Sequence, residues 1–148
     1  MRRPQIIITG GFFGIVAGLL IGLFFKWIES MELANVYTLL LNIDFIPFLP
    51  PQLDEWQEFS LHLLVSAMMG LLFGWLLQWS GRPWLSGMLV GLIPLPLFIP
   101  LTLISERTPA IDDFYALLWW IVGHLGYGAC LSLLGKRVTI QRRSWHFP

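Results

Sequence analysis

The chain has 148 residues, 56% of them hydrophobic and 12% charged. A soluble domain carries about 25% charged residues, so the composition belongs to the membrane class, and the length fits one unit, 1–148, without a separate soluble domain. The formal charge is zero, but the two signs are segregated along the chain; a single cysteine, Cys130, excludes an internal disulfide and any Cys-x-x-Cys redox or zinc site.

A helix needs roughly 20 mostly apolar residues to cross the hydrocarbon core, each adding about 1.5 Å. Four stretches reach that length, 6–25, 59–79, 84–104 and 114–134, and none contains Asp, Glu, Lys or Arg. The expectation is an all-α, polytopic four-helix membrane bundle.

The first span follows Arg2-Arg3 and is longer than the apolar core of a signal peptide, so it reads as an uncleaved helix. It carries Gly10, Gly14, Gly18 and Gly22, a four-residue ladder on one face. Missing side chains let a second helix approach closely where lipid gives no hydrophobic drive. The partner helix belongs either to the same chain or to another copy. Ser66, Gly70 and Gly74 in the second span and Gly87 and Gly91 in the third continue the pattern.

The long segment 29–58 comes next. Leu33, Val36, Tyr37, Leu40 and Leu41 recur at helical spacing, which suits a helix lying in the interface. Phe45-Ile46-Pro47-Phe48-Leu49-Pro50-Pro51 is apolar but broken by proline. The segment is either a lid over an outward-facing cavity or simple interfacial packing. Asp54 is placed to cap the second span. Trp27, Trp56, Trp79 and Trp84 fall at span edges, where an indole keeps its ring apolar and its N–H wet.

Ser80-Gly81-Arg82-Pro83 makes a tight turn into the third span. There Pro94, Pro96 and Pro100 each lack an N–H and crowd the carbonyl four residues back, at Val90, Leu92 and Pro96. The helix must kink or loosen, and the freed carbonyls need partners. Such a break is either structural or part of a binding site near the midplane, as in some transporters.

Two histidines are the polar residues of interest inside the spans, since ionisable groups there are costly. Glu58, His62 and Ser66 share one face of the second span. His124 has Gly128 and Ser132 on its face in the fourth span, with Tyr127 three residues on. Counted from the span ends at 1.5 Å per residue, His62 lies about 5 Å below the outer edge and His124 about 15 Å. That offset disfavours a bis-histidine haem and suits a polar path running inward from Glu58 through His62 to His124. Each imidazole could equally donate one hydrogen bond to a neighbouring helix. His62-Leu63 with Ala67 and Gly70 also echoes His124-Leu125 with Ala129 and Ser132, as two out-and-back hairpins would.

No nucleophile, metal or phosphate-loop motif stands out, so the chain reads as a non-enzyme with no cofactor and no metal. Arg142-Arg143 is too little for nucleic acid and suits anionic lipid heads. The partners expected are the lipid bilayer and a second copy or another membrane protein.

Several of these pieces, in order, carry a resemblance: the glycine-rich span ending Phe25-Lys26-Trp27, then His62-x-x-x-Ser66, Trp84-x-x-Gly87-x-x-x-Gly91, Thr108-Pro109, and Gly123-His124 before a basic end. Together they resemble the YagU/YqhR-like bacterial inner-membrane proteins over most of the chain outside the long loop. The resemblance implies a multi-pass protein of the bacterial plasma membrane and no particular reaction. The functional expectation is a structural, envelope- or stress-associated interaction role. The alternatives are a proton-linked transporter or channel using His62 and His124, and a binding subunit for a lipid or cofactor.

Basic residues resist translocation and set orientation. Arg2, Arg3, Arg82, Lys136, Arg137, Arg142 and Arg143, seven of the nine, fall on one side. Lys26, Arg107 and all nine acids fall on the other. Both termini are therefore expected in the cytoplasm, with 29–58 and 105–113 outside. An impermeant thiol reagent on whole cells checks this with Gln57→Cys and Gln141→Cys, each in a Cys130→Ser background. Label is expected at position 57; label at 141 instead overturns the topology.

Overall fold

The computed structural model describes residues 3–44, 46 and 53–144 and is all-helical among them. Four helices are long and apolar enough to cross a membrane. Helix α1 is Arg3–Ser30, the short α2 is Val36–Leu41 and α3 is Glu55–Ser80. The third span divides into α4, Pro83–Leu92, a 3-10 turn at Leu95–Leu97, and α5, Phe98–Ile104; α6 is Phe114–Ser144. Apart from Ile46, the proline-broken stretch 45–51 lies outside the described residues, as do Arg2 and the side chains of Arg142 and Arg143.

The helices outrun their apolar cores because polar residues at their ends find partners. Lys26, past the first apolar run, pairs with Glu55 at the start of α3. Glu29, at the last turn of α1, caps α2. Its carboxylate accepts the backbone N–H groups of Tyr37 and Thr38 at 2.8 and 2.9 Å and the Thr38 hydroxyl at 2.6 Å. These are two of the donors a helix start leaves open. Asp54 holds the N-cap position of α3, and its N–H donates to Gln57 Oε1 at 3.0 Å. At the other end Gly81 closes α3 at φ 63°, a left-handed conformation that glycine adopts without a Cβ penalty.

The glycine ladder is an intramolecular seam. Helix α1 packs mainly on α3, and α4 on α6. Cβ atoms added at Gly10 and Gly14 would run into the carbonyls of Gly70 and Ser66, and at Gly70 into that of Gly10. Further along, Gly18 faces the Ser66 side chain, Gly22 the ring of Phe59, and Gly74 the backbone of Ile6 and Ile7. The second seam sets Gly87 against Gly128 and Ser132, and Gly91 against the His124 carbonyl and Gly128. Between the seams, Phe25 and Phe73 are fully buried with their rings in notches at Gly123 and Gly135.

The two seams repeat one another, with a register that differs from the sequence echo. Gly14 meets Ser66 and Gly70 as Gly91 meets His124 and Gly128. In the packing, therefore, Ser66 corresponds to His124 and His62 to Trp120, one helical turn from the histidine-on-histidine match. Backbone approach, which depends on small residues, sets this register; shared residue names do not.

Replacing Gly14 with alanine should lower the unfolding midpoint in detergent, by the order of the 1–3 kcal/mol typical of overpacking, because both sides of that contact are backbone. Gly126→Ala, where an added Cβ meets nothing within 4 Å, should leave the midpoint unchanged or raise it. Equal effects at the two positions would contradict the seam.

Candidate functional site: a cavity beside the broken span

Pro94 begins the structural argument for the site. It leaves the Val90 carbonyl without its usual donor, and Ile93 N–H takes that oxygen instead at 3.2 Å, tightening the chain into the 3-10 turn. The Pro94 carbonyl accepts Leu97 N–H at 3.1 Å and the indole N–H of Trp120 on α6 at 3.2 Å. Helix α4 thus stays bound to α6. Beyond the break the backbone of α5 stands off from α3 and α6, while the buried ring of Phe98 still packs on Trp120 at 6.4 Å between centroids. It is held from above, where the Asn42 amide donates to the Leu101 carbonyl at 3.1 Å.

The divergence of α5 opens a cavity of about 550 Å³ in the half of the bundle where α3 begins. Its inner wall is α3, from Glu58 through His62 and Ser66 to Met69, with Ile21 of α1 and His124 and Tyr127 of α6. Ile93, Pro94, Leu97, Pro100, Leu101 and Ile104 form the opposite wall, and Leu40–Ile43 with Ile46 form a roof. Several lining residues, among them Leu64 (59%) and Leu97 (48%), are also exposed on the outer surface of the bundle. The cavity therefore opens sideways, between α3 and α5, where lipid would lie.

The roof answers the question of the long segment. Val36, Tyr37, Leu39 and Leu41 are buried against the bundle, and Leu33 is exposed. The Tyr37 hydroxyl donates to Glu55 at 2.9 Å. Burial, followed by that carboxylate, pushes the Tyr37 phenol well above its ordinary range, so it stays a donor. Of this segment, Leu40–Ile43 and Ile46 cover the cavity.

Five residues expected to form a polar path, Glu58, His62, Ser66, His124 and Tyr127, all line this one cavity. Their connections differ from the expected relay. The Glu58 carboxylate, buried at 8% exposure, is taken by Arg107 at 3.1 and 3.4 Å. His62 Nε2 donates to the Gly18 carbonyl at 3.0 Å, His124 Nδ1 to the Trp120 carbonyl at 2.8 Å, and the Tyr127 hydroxyl to the Ser66 carbonyl at 3.1 Å. A carbonyl only accepts, which fixes each proton. The His124 ring also packs on Trp120 at 4.2 Å and edge-on to Phe25 at 5.8 Å between centroids.

The levels of the histidines also change. Tyr127 is tied to Ser66, and counting back gives roughly 6 Å to His62 and 4.5 Å to His124 at 1.5 Å per residue. The two rings sit at a similar depth, and not about 10 Å apart, because α3 begins at Glu55, four residues before its apolar core. Among the described residues no group of three or more His, Cys, Asp or Glu side chains is placed to hold a metal ion.

Pro94 and Pro100 line the cavity, whereas Pro96 is exposed in the break and does not. Sequence reading missed Arg107, Asn42 and Trp120. For Arg107 a signal existed: it is one of two cations in the segments that carry all nine acids. Comparison with known proteins finds no family model, no curated protein and no solved structure that matches this chain.

Proposed function

We propose that this chain is a binding protein of the bacterial plasma membrane, with both termini in the cytoplasm, that holds a largely apolar, membrane-resident small molecule in its outer half. The charge segregation and the resemblance of the motifs support the location and orientation. One observation carries the binding reading: the cavity of about 550 Å³ beside the broken span, with apolar walls and a small polar group of His62, His124 and Tyr127. Ligand sites are commonly concave and mostly apolar, with a few polar groups that set orientation. A structural or envelope-associated role alone gives no reason for such a space, since membrane helices otherwise pack closely.

Proton-linked transport keeps one argument, the two histidines at similar depth in the same cavity. Against it, Glu58 is already paired with Arg107 and the roof covers the outer side. A water funnel from outside needs both to open.

A photoreactive long-chain hydrocarbon, dissolved in bilayers containing the purified protein, separates these readings. Adducts mapped by mass spectrometry are expected on Met69 and Tyr127 inside the cavity. Labelling confined to lipid-facing residues such as Leu23 and Leu103 would overturn the binding reading.

A further inference from the structure

We infer that the molecule bound in this cavity carries a neutral hydroxyl as its head, as a long-chain alcohol or phenol does. This rests on the binding reading above and specifies its ligand. His62, His124 and Tyr127 each spend their single side-chain hydrogen on a backbone carbonyl, of Gly18, Trp120 and Ser66 respectively. What remains is His62 Nδ1, His124 Nε2 and the Tyr127 oxygen, all acceptors. No protein donor reaches any of the three among the described residues.

Against these three acceptors the other polar groups of the lining offer few donors: among the described residues, the Ser66 hydroxyl and the second hydrogen of the Asn42 amide. One hydrogen of the Asn42 amide goes to the Leu101 carbonyl at 3.1 Å, and its oxygen accepts Asp44 N–H at 2.9 Å. The Ser66 hydroxyl is turned onto Gly18. Glu58 is an acceptor already matched by Arg107. Acceptors outnumber donors in this lining, so an O–H, which donates to one of them and can itself accept, satisfies it, whereas a ketone, ester or carboxylate leaves all three acceptors unmet.

An ammonium head would also donate. Among the described residues the only carboxylate in the lining is Glu58, however, and its charge is balanced by Arg107. A cation would enter an apolar space with no free counter-charge, which is costly. The neutral donor is the one that fits.

Competition against the photoreactive hydrocarbon tests this on the purified protein in bilayers. The competitors share one chain length and differ in head: primary alcohol, methyl ether, carboxylate and primary amine. The alcohol should compete about three- to tenfold better than the ether, the worth of one hydrogen bond, and better than the carboxylate and amine. Tyr127→Phe, which keeps the ring and its packing, and His124→Leu should each reduce the preference for alcohol over ether. Alcohol and ether competing equally, or the amine competing best, would overturn the hydroxyl assignment and leave the binding reading intact. Absence of cavity labelling by the hydrocarbon itself would overturn both.

Discussion

The Trp120 indole donating to the Pro94 carbonyl is the interaction on which the rest of the molecule turns. Proline in a bilayer leaves carbonyls without donors, and no water is at hand to satisfy them. Here a side chain from α6 supplies a donor at the break and holds α4 in place. The chain beyond is then free to take another direction. Its new course is fixed at the far end by Asn42 on the Leu101 carbonyl, and within the turn by the Thr102 hydroxyl, which donates to Phe98 and Ile99. The space left between α3 and α5 is the cavity.

Such a space would collapse in a loosely packed bundle, and the glycine seams prevent this. Small residues bring α1 onto α3 and α4 onto α6 at backbone contact, so each hairpin is a thick, stiff unit. Phenylalanine rings set in glycine notches, Phe25 at Gly123 and Phe73 at Gly135, lock one hairpin to the other on the side away from the opening. The hairpins therefore meet firmly along one line and part along another. At the end of the bundle where α3 begins, two cations close the structure onto that helix, Lys26 through Glu55 and Arg107 through Glu58. The second of these buries its carboxylate, so losing Arg107 would strand a charge, whereas the Lys26 pair is exposed and contributes little.

Much of this was legible in the sequence because it depends on local pattern. Span length, the glycine ladder and the proline break follow from neighbours along one helix, and each lies where the pattern placed it. The polar residues of the site were also identifiable, since His62 and His124 stand out against apolar surroundings. Their wiring was not. The acceptors of His62 and Tyr127, Gly18 and Ser66, lie on other helices, 44 and 61 residues away, and any backbone carbonyl looks alike in sequence. Arg107 meets Glu58 across 49 residues. Depth was misjudged for a simpler reason: the apolar run of the second span is shorter than the helix that contains it. The repeat register failed because identity of letters was weighed above size, and size governs backbone approach.

The central claim is that the cavity is a binding site for a hydroxyl-headed, membrane-resident molecule. Native mass spectrometry of the protein taken from its own membrane in mild detergent tests it most directly. The account expects a neutral small molecule bearing a hydroxyl to remain bound and to be released on unfolding. It should be absent from Leu97→Trp, which fills the cavity from its lip and lies outside both glycine seams, with the unfolding midpoint retained. No retained neutral molecule, or the same molecules bound equally to the filled variant, would contradict it.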